Sequence, residues 1–356
     1  MRTDEDSCCE VVVQAGSPPE YHRVLIDRRT FLLTPLAFAQ AATDPPNLVL
    51  IVASGWRGKA TPWDGDPDLK APNLEKFGQQ SVVFSRTYCA CPKPFLALAA
   101  LLTSKFPHTP RAKDELISKP KLVSAQQIEE SVARSPFSIR IQLASLGAGR
   151  GLVQTHGSRA DRANYYAALS EMDSTLGTLL DALDKRKLVD NTVVCFTSDC
   201  GNQLAPFGNN DTDLPFEESV RIPLAIRSPK LKPEARDLAS QVDIMPTLLT
   251  LCGMEIPEGL QGVDLFGKTP REVVYAEGKL GDPEEWRMLV RGYDKLIATP
   301  KGQATHLFNL ADDPDETANL VRDPAHKLKL ASLKAELQVQ MRILGDGMDP
   351  SGLRKR

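Results

Sequence analysis

Asn47-Leu-Val-Leu-Ile-Val-Ala53 narrows the folds open to this chain more than any other stretch. It has no alternation of polar and apolar residues. A short continuous run of this kind, rich in β-branched residues, is the pattern of a strand covered on both faces, as in a largely parallel sheet between helices. Thr192-Val-Val-Cys-Phe-Thr197 repeats the pattern. Each run stops at a polar, glycine-containing junction, Ser54-Gly55-Trp56-Arg57-Gly58 and Ser198-Asp199-Cys200-Gly201. Proteins of the α/β class place their chemistry at that end of their strands.

The intervening sequence supplies helices to cover such a sheet. From about Arg159 to Arg186, Leu169, Met172, Leu176, Leu179 and Leu183 recur at spacings of three and four, predicting one long helix with a single buried stripe. Ala71–Phe77 opens a short helix, and Val82-Val-Phe84 is a strand. Cys89–His108 begins as a proline-broken loop and continues, from Phe95 to Thr103, as a run of good helix formers. A loop feeding a helix N-terminus is a favourable seat for an anion, yet no Ser, Thr or Cys stands at this entrance. Residues 109–135 are charged and weakly patterned. Pro136–Ala144 alternates like a strand, and 147–157 is a glycine-rich loop. Leu224–Arg227 is a strand, and Val242–Cys252 a helix closed by Gly253. From Val273 short strands separated by polar turns follow, at Val273–Tyr275, Arg287–Arg291, Lys295–Ala298 and His306–Asn309, and Ala325–Leu344 is a closing amphipathic helix.

The fold class expected is therefore α/β: a central mixed, mostly parallel sheet flanked by helices over 44–265, and a smaller C-terminal α+β subdomain over 266–346, with a tail at 347–356. A chain of 356 residues, 42% hydrophobic and 25% charged, is long enough for that core. A net charge of −3 gives no broad electrostatic case for nucleic acid or anionic membranes. The seven cysteines lack metal-ligand spacing, and Cys195 and Cys252 sit in apolar runs, as inert core residues do. Arg28-Arg29, a short apolar segment and Ala-x-Ala sites before Ala41 read as a twin-arginine (Tat) export signal peptide of bacterial type. Residues 1–43 are thus an N-terminal extension plus signal, with 1–26 unstructured and mature sequence starting near Asp44. The expected location is exported, periplasmic or extracellular. No other run approaches membrane-spanning length.

Several motifs in fixed order resemble the sulfatase family of the alkaline phosphatase-like superfamily. They are Pro46-Asn-Leu-Val-Leu-Ile-Val, Lys70-Ala-Pro-Asn-Leu, Ala99-Ala-Leu-Leu-Thr-Ser-Lys-Phe-Pro-His108, Thr197-Ser-Asp199, Pro215-Phe-Glu-Glu-Ser-Val-Arg-Ile-Pro, Ser240-Gln-Val-Asp-Ile-Met-Pro-Thr-Leu and Leu307–Leu320. The likeness covers nearly all of 45–108 and 158–345. It implies a sulfuric ester hydrolase with three requirements. These are a Cys or Ser converted to formylglycine in a C/S-x-P-S-R motif, a divalent cation (usually Ca²⁺) on hard oxygen ligands, and Lys, Arg and His groups that bind sulfate and protonate the leaving oxygen.

Each requirement can be set against the residues present. Aligned on Cys91-Pro92 and Ala99–Thr103, the nucleophile position is Pro94, and the motif's Pro, Ser and Arg fall at Leu96, Ala97 and Leu98. Cys91 matches a non-catalytic upstream Cys. The family's aspartates after the first strand fall at Ser54 and Gly55, and its later pair at Asp199 and Cys200, leaving Asp199 as the one carboxylate of the metal site. A single Asp holds Ca²⁺ weakly, and a loop or capping role for Asp199 is at least as well supported. No Gly-Lys-Trp-His-like element lies between His108 and Tyr165, no Lys directly precedes Pro215, and His156 stands alone. His108 reads as structural, and Glu217, Glu218 and Arg221 as internally paired. No catalytic residue is assigned. The reading is of a sulfatase-like protein that is catalytically impaired or inactive, with a sulfated small molecule or glycan, or a protein, as partner. The alternative is an active sulfatase or phosphoesterase with a non-standard site.

Overall fold

The computed structural model describes residues 9–12, 23–26, 46–109, 139–145, 159–203 and 213–346. In chain order its first elements are β1 (Cys9–Val12), β2 (Arg23–Ile26), β3 (Asn47–Ser54), α1 (Pro72–Gln79), β4 (Val82–Tyr88), α2 (Pro94–Thr103), β5 (Ile139–Ser145) and α3 (Arg159–Lys185). They are followed by β6 (Thr192–Ser198), α4 (Glu217–Val220), β7 (Arg221–Arg227), β8 (Glu234–Ser240) and α5 (Ile244–Leu251). The eight strands form one sheet in the order β2-β1-β5-β3-β6-β7-β4-β8. Four of its seven pairings are parallel: β1 with β5, β3 with β5, β3 with β6, and β4 with β8. The other three are antiparallel.

The apolar runs of β3 and β6 lie side by side, Leu50 opposite Cys195 and Ala53 opposite Ser198. Because side chains alternate across a strand, each run serves two cores. Leu48, Leu50 and Val52 join Val193 and Cys195 against Leu98, Leu101 and Leu102 of α2 and Leu248 of α5. Val49, Ile51 and Ala53 join Val194 and Phe196 against Leu74 and Phe77 of α1 and the stripe Leu169, Met172, Leu176, Leu179 and Leu183 of α3. The sheet is thus covered on both faces, which is why its central strands contain no polar alternation. Each large side chain so buried contributes about 1.5–3 kcal/mol.

A second sheet follows, entirely antiparallel, built from β9 (Val273–Gly278), β10 (Trp286–Arg291), β11 (Asp294–Ala298) and β12 (Ala304–Asn309) in the order β12-β11-β10-β9. The last helix, α6 (Lys327–Leu344), packs Leu333, Leu337 and Met341 against Tyr275, Leu289 and Leu296 of this sheet. The same core takes in Ala100 of α2 and Phe106 beyond it. Among the described residues no helix is long and apolar enough to cross a membrane.

Three features depart from the sequence reading. Cys9–Val12 and Arg23–Ile26 are paired strands, β1 continuing the sheet beside β5, where 1–26 was read as unstructured. Glu234–Ser240 is a strand although its first half is polar, because it lies at the sheet edge with β4 as its sole neighbour. β7 starts at Arg221, three residues before the apolar run, since Arg221 and Ile222 extend the ladder with β4. The twin-arginine segment and His156 lie outside the described residues.

Candidate functional site

The ends of β3 and β6 meet at Asp199. Parallel register sets Ala53 beside Ser198, so the residues that follow each strand share one corner. The Asp199 N–H donates to the Ala53 carbonyl (3.1 Å). Its carboxylate is occupied from within. Oδ2 accepts from the Ser54 hydroxyl (2.7 Å), and Oδ1 accepts from the backbone N–H of Gly55 (3.0 Å) and of Cys200 (2.6 Å). Gly55 reaches this position with φ 73°, the left-handed region that glycine enters without a Cβ penalty. Burial raises the Asp199 pKa against the opposing pull of these donors.

Two residues outside the sequence-derived site hold this corner together. Ser198 Oγ lies within hydrogen-bond distance of the carbonyls of Ala53 (2.5 Å) and Cys200 (2.7 Å), one of which takes its single O–H, and accepts from the Trp56 N–H (3.1 Å). Gln241, fully buried, donates from Nε2 to the Asp199 carbonyl (2.7 Å) and the Ser198 carbonyl (3.1 Å), and its Oε1 accepts from the Ala90 N–H (3.2 Å). It ties the loop before α2 to the end of β6. A glutamine between a strand and an apolar helix is the signal that marks it. Gly201 packs against Glu218, whose carbonyl oxygen a Cβ would meet at 2.0 Å.

The positions aligned with the nucleophile motif do not form a polar site. Pro94 is exposed as the first residue of α2, and Leu98 is buried in the apolar core beneath the sheet. Cys89, Cys91 and Cys200 are free and buried. Burial pushes all three thiols well above their ordinary pKa, with neighbouring acids adding to it, so they stand as neutral thiols and not as reactive thiolates.

A hard divalent cation does not fit this corner. Both Asp199 oxygens already accept hydrogen bonds, Gly55 has no side chain, and Cys200 offers a soft sulfur where Ca²⁺ selects oxygen. Nearby cations are also engaged: Arg57 with Glu218 (3.1 Å), Lys59 with Asp315 (2.8 Å) and Arg221 with Asp64 (2.6 Å). Glu217 pairs with Lys295 (2.9 Å), which also reaches Glu316 (2.7 Å).

Among the described residues, one other group brings three ligand-type side chains within reach of a single ion: His108, Glu277 and Asp346. It is an ion network and not a cation cavity. Arg287 binds Asp346 through both Nε (2.5 Å) and a terminal nitrogen (2.9 Å) and lies 3.8 Å from Glu277. Tyr275 donates to Asp346 (2.6 Å). A metal would have to displace a guanidinium already seated there.

Comparison with known proteins shows what the chain is similar to. Residues 109–254 match the sulfatase family model, which includes the stretch read from sequence as weakly patterned. An arylsulfatase of Clostridium perfringens is 26% identical over 197 residues, 52% of this chain and 41% of that protein. An ulvan-active sulfatase of Formosa agariphila is 27% identical over 280 residues, 71% of this chain and 49% of that protein. The chain thus matches less than half the length of these curated relatives. A protein solved in complex with its substrate D-glucosamine-2-N,6-O-disulfate superposes with a TM-score of 0.70 at 17% identity, covering 86% of this chain and 99% of that one. The mixed sheet between helices, the antiparallel second sheet and these matches agree: the chain has an alkaline phosphatase-like fold, carries a stretch that matches the sulfatase family model, and resembles sulfuric ester hydrolases.

Proposed function

We propose that this protein keeps the sulfatase scaffold without the hydrolytic chemistry. The observation that carries the reading is the engagement of both Asp199 oxygens by local donors. The one carboxylate left at the family's metal position spends both oxygens on Ser54, Gly55 and Cys200. Pro94 adds to it, since a pyrrolidine at the helix entrance has neither an oxidisable side chain nor an N–H to offer an anion. Removing a nucleophile alone typically costs many orders of magnitude in rate, and here the cation seat goes with it.

On this reading the protein binds without turnover. Its ligand class is a sulfated small molecule or glycan, suggested by the disulfated glucosamine held by a protein of the same fold, and a protein partner is the alternative occupant. The twin-arginine pattern supports export to the periplasm or beyond, and 44–265 and 266–346 act as the main domain and its C-terminal subdomain.

The test is an assay of the purified full chain with 4-nitrophenyl sulfate and 4-nitrophenyl phosphate in millimolar Ca²⁺. Product formation should equal that of a mock preparation, and Ca²⁺ should leave the melting temperature unchanged. Turnover above the mock that is abolished in Asp199→Asn would establish an active enzyme with a non-standard site and overturn the proposal.

A further inference from the structure

His108 lies beyond the C-terminal end of α2, and two separate elements, β9 and α6, converge on it. Its backbone N–H donates to Glu277 Oε1 (2.8 Å), its Nδ1 lies 2.7 Å from Glu277 Oε2 on β9, and its Nε2 lies 3.1 Å from the Leu344 carbonyl at the end of α6. Neither ring nitrogen faces a donor. A backbone carbonyl can only accept. Glu277 is fully buried, and its Oε2 lies 3.3 Å from Tyr275 Oη and 3.8 Å from Arg287 Nε. A neutral imidazole carries one N–H and would leave one of these contacts as a clash of two lone pairs. The imidazolium satisfies both.

The helix adds to this preference. The last carbonyls of α6 carry the negative end of its dipole, which favours a cation there. The Leu344 carbonyl is shared with Gln261 Nε2 (3.0 Å), and Gln261 also accepts from the Phe106 N–H (2.6 Å). The described groups facing His108 are Glu277 and Tyr275 from β9, Arg287 from β10, Asp346 after α6 and the Phe106 ring stacked at 6.2 Å. Glu285 stands behind Arg287 (2.8 Å).

We propose that His108 is a pH-sensitive latch, which while protonated locks the C-terminal end of α6 onto the second sheet and the end of α2, and on deprotonation lets that end loosen. Burial draws the ring toward neutrality, but the hydrogen bond and charge of Glu277 outweigh it, so its pKa is raised. The sign follows from linkage: the latch is fully closed below the ordinary histidine value of about 6.5 and opens as pH climbs through the raised one. The apolar seat of Leu333, Leu337 and Met341 holds the rest of the helix in place meanwhile, so opening is confined to the last turn and Asp346.

Two readings on the intact protein test this. Nitrogen-15 shifts of the His108 ring, assigned through its contact with Phe106 and followed across pH, should show both nitrogens protonated at low pH and a titration midpoint above the ordinary histidine value of about 6.5; a midpoint at or below that value would overturn the latch without any variant. Amide exchange over 341–346, corrected for its intrinsic pH dependence, should quicken about tenfold between pH 7 and 9.5. In His108→Gln the exchange should be fast at both pH values, and an unchanged pH response in that variant would equally sink the proposal.

Discussion

Two parts of this molecule bury carboxylates, and they treat them in opposite ways. Where β3 and β6 end, Asp199 has no cation partner among the described residues; neutral donors surround it, and burial raises its pKa. In the second sheet and around it, the acids are matched by cations: Asp346 with Arg287, Glu277 with His108, and Glu217 and Glu316 with Lys295. For Asp346 burial would raise the pKa, but the hydrogen bond and charge of Arg287 outweigh it and lower it. A catalytic site with a resident cation would resemble the second pattern. The strand-end corner instead shows a carboxylate turned to local structure, tying two loops together. The contrast separates a corner held by neutral donors from networks held by paired charges.

The largest expected effect lies in the second region. Lys295 is fully buried between Glu217 and Glu316, whose charges hold its ammonium protonated against the pull of burial. Lys295→Met would strand two adjacent carboxylates and should cost about 3–5 kcal/mol in denaturant unfolding, the usual penalty for breaking a buried pair on one side. Adding Glu217→Gln and Glu316→Gln should recover much of that loss, because the cost belongs to the uncompensated charges. No recovery in the triple variant would mean that the lysine acts through packing, and the contrast between the two regions would lose one of its supports.

A paired titration sharpens the comparison at intermediate cost. Asp346, with a lowered pKa, contributes stability above its unfolded value of about 3.9 and loses it as pH falls through the folded value. Asp199, with a raised pKa, disfavours the folded state as pH rises from about 3.9 through its folded value. The stability difference between the native protein and Asp346→Asn should therefore grow with rising pH, reaching about 3 kcal/mol near neutrality. The difference for Asp199→Asn should shrink over the same range, ending at about 1–3 kcal/mol from its lost hydrogen bonds. Slopes of the same sign would show that Asp199 is balanced by a cation after all.

Much of the scaffold was legible because its signals are local. The uninterrupted apolar runs gave β3 and β6, the three-and-four spacing gave the buried face of α3, and the short strands after Val273 gave the second sheet. Residues 234–240 escaped because an edge strand with polar side chains has no pattern to show, and β5, the strand that joins β1 to the sheet, is far away in sequence. At the candidate site, residue types give the expectation of Pro94 at the nucleophile position and of Asp199 as the one carboxylate. What occupies the carboxylate was not legible. Ser54 and Asp199 are 145 residues apart in sequence, and Gln241 reaches Asp199 across 42; such contacts exist only once the sheet has assembled.

The smallest effect is expected at Pro94, the position that the motif alignment pairs with the family's nucleophile. Pro94 is exposed at the first turn of α2, where a proline satisfies no intrahelical bond and a cysteine displaces nothing. Pro94→Cys should change stability by about 0.5 kcal/mol or less. It should add no turnover of 4-nitrophenyl sulfate with Ca²⁺, even after exposure to a formylglycine-generating system, because the motif that directs that oxidation is replaced by Leu96, Ala97 and Leu98. Completing the motif is not a remedy. Leu98 lies in the core with Leu50, Leu101 and Leu248, and an arginine there would bury an unpaired charge. Measurable sulfate ester hydrolysis by the single variant would mean that a cation seat exists apart from Asp199. The strand-end corner would then have to be regrouped with the charged networks of the second sheet.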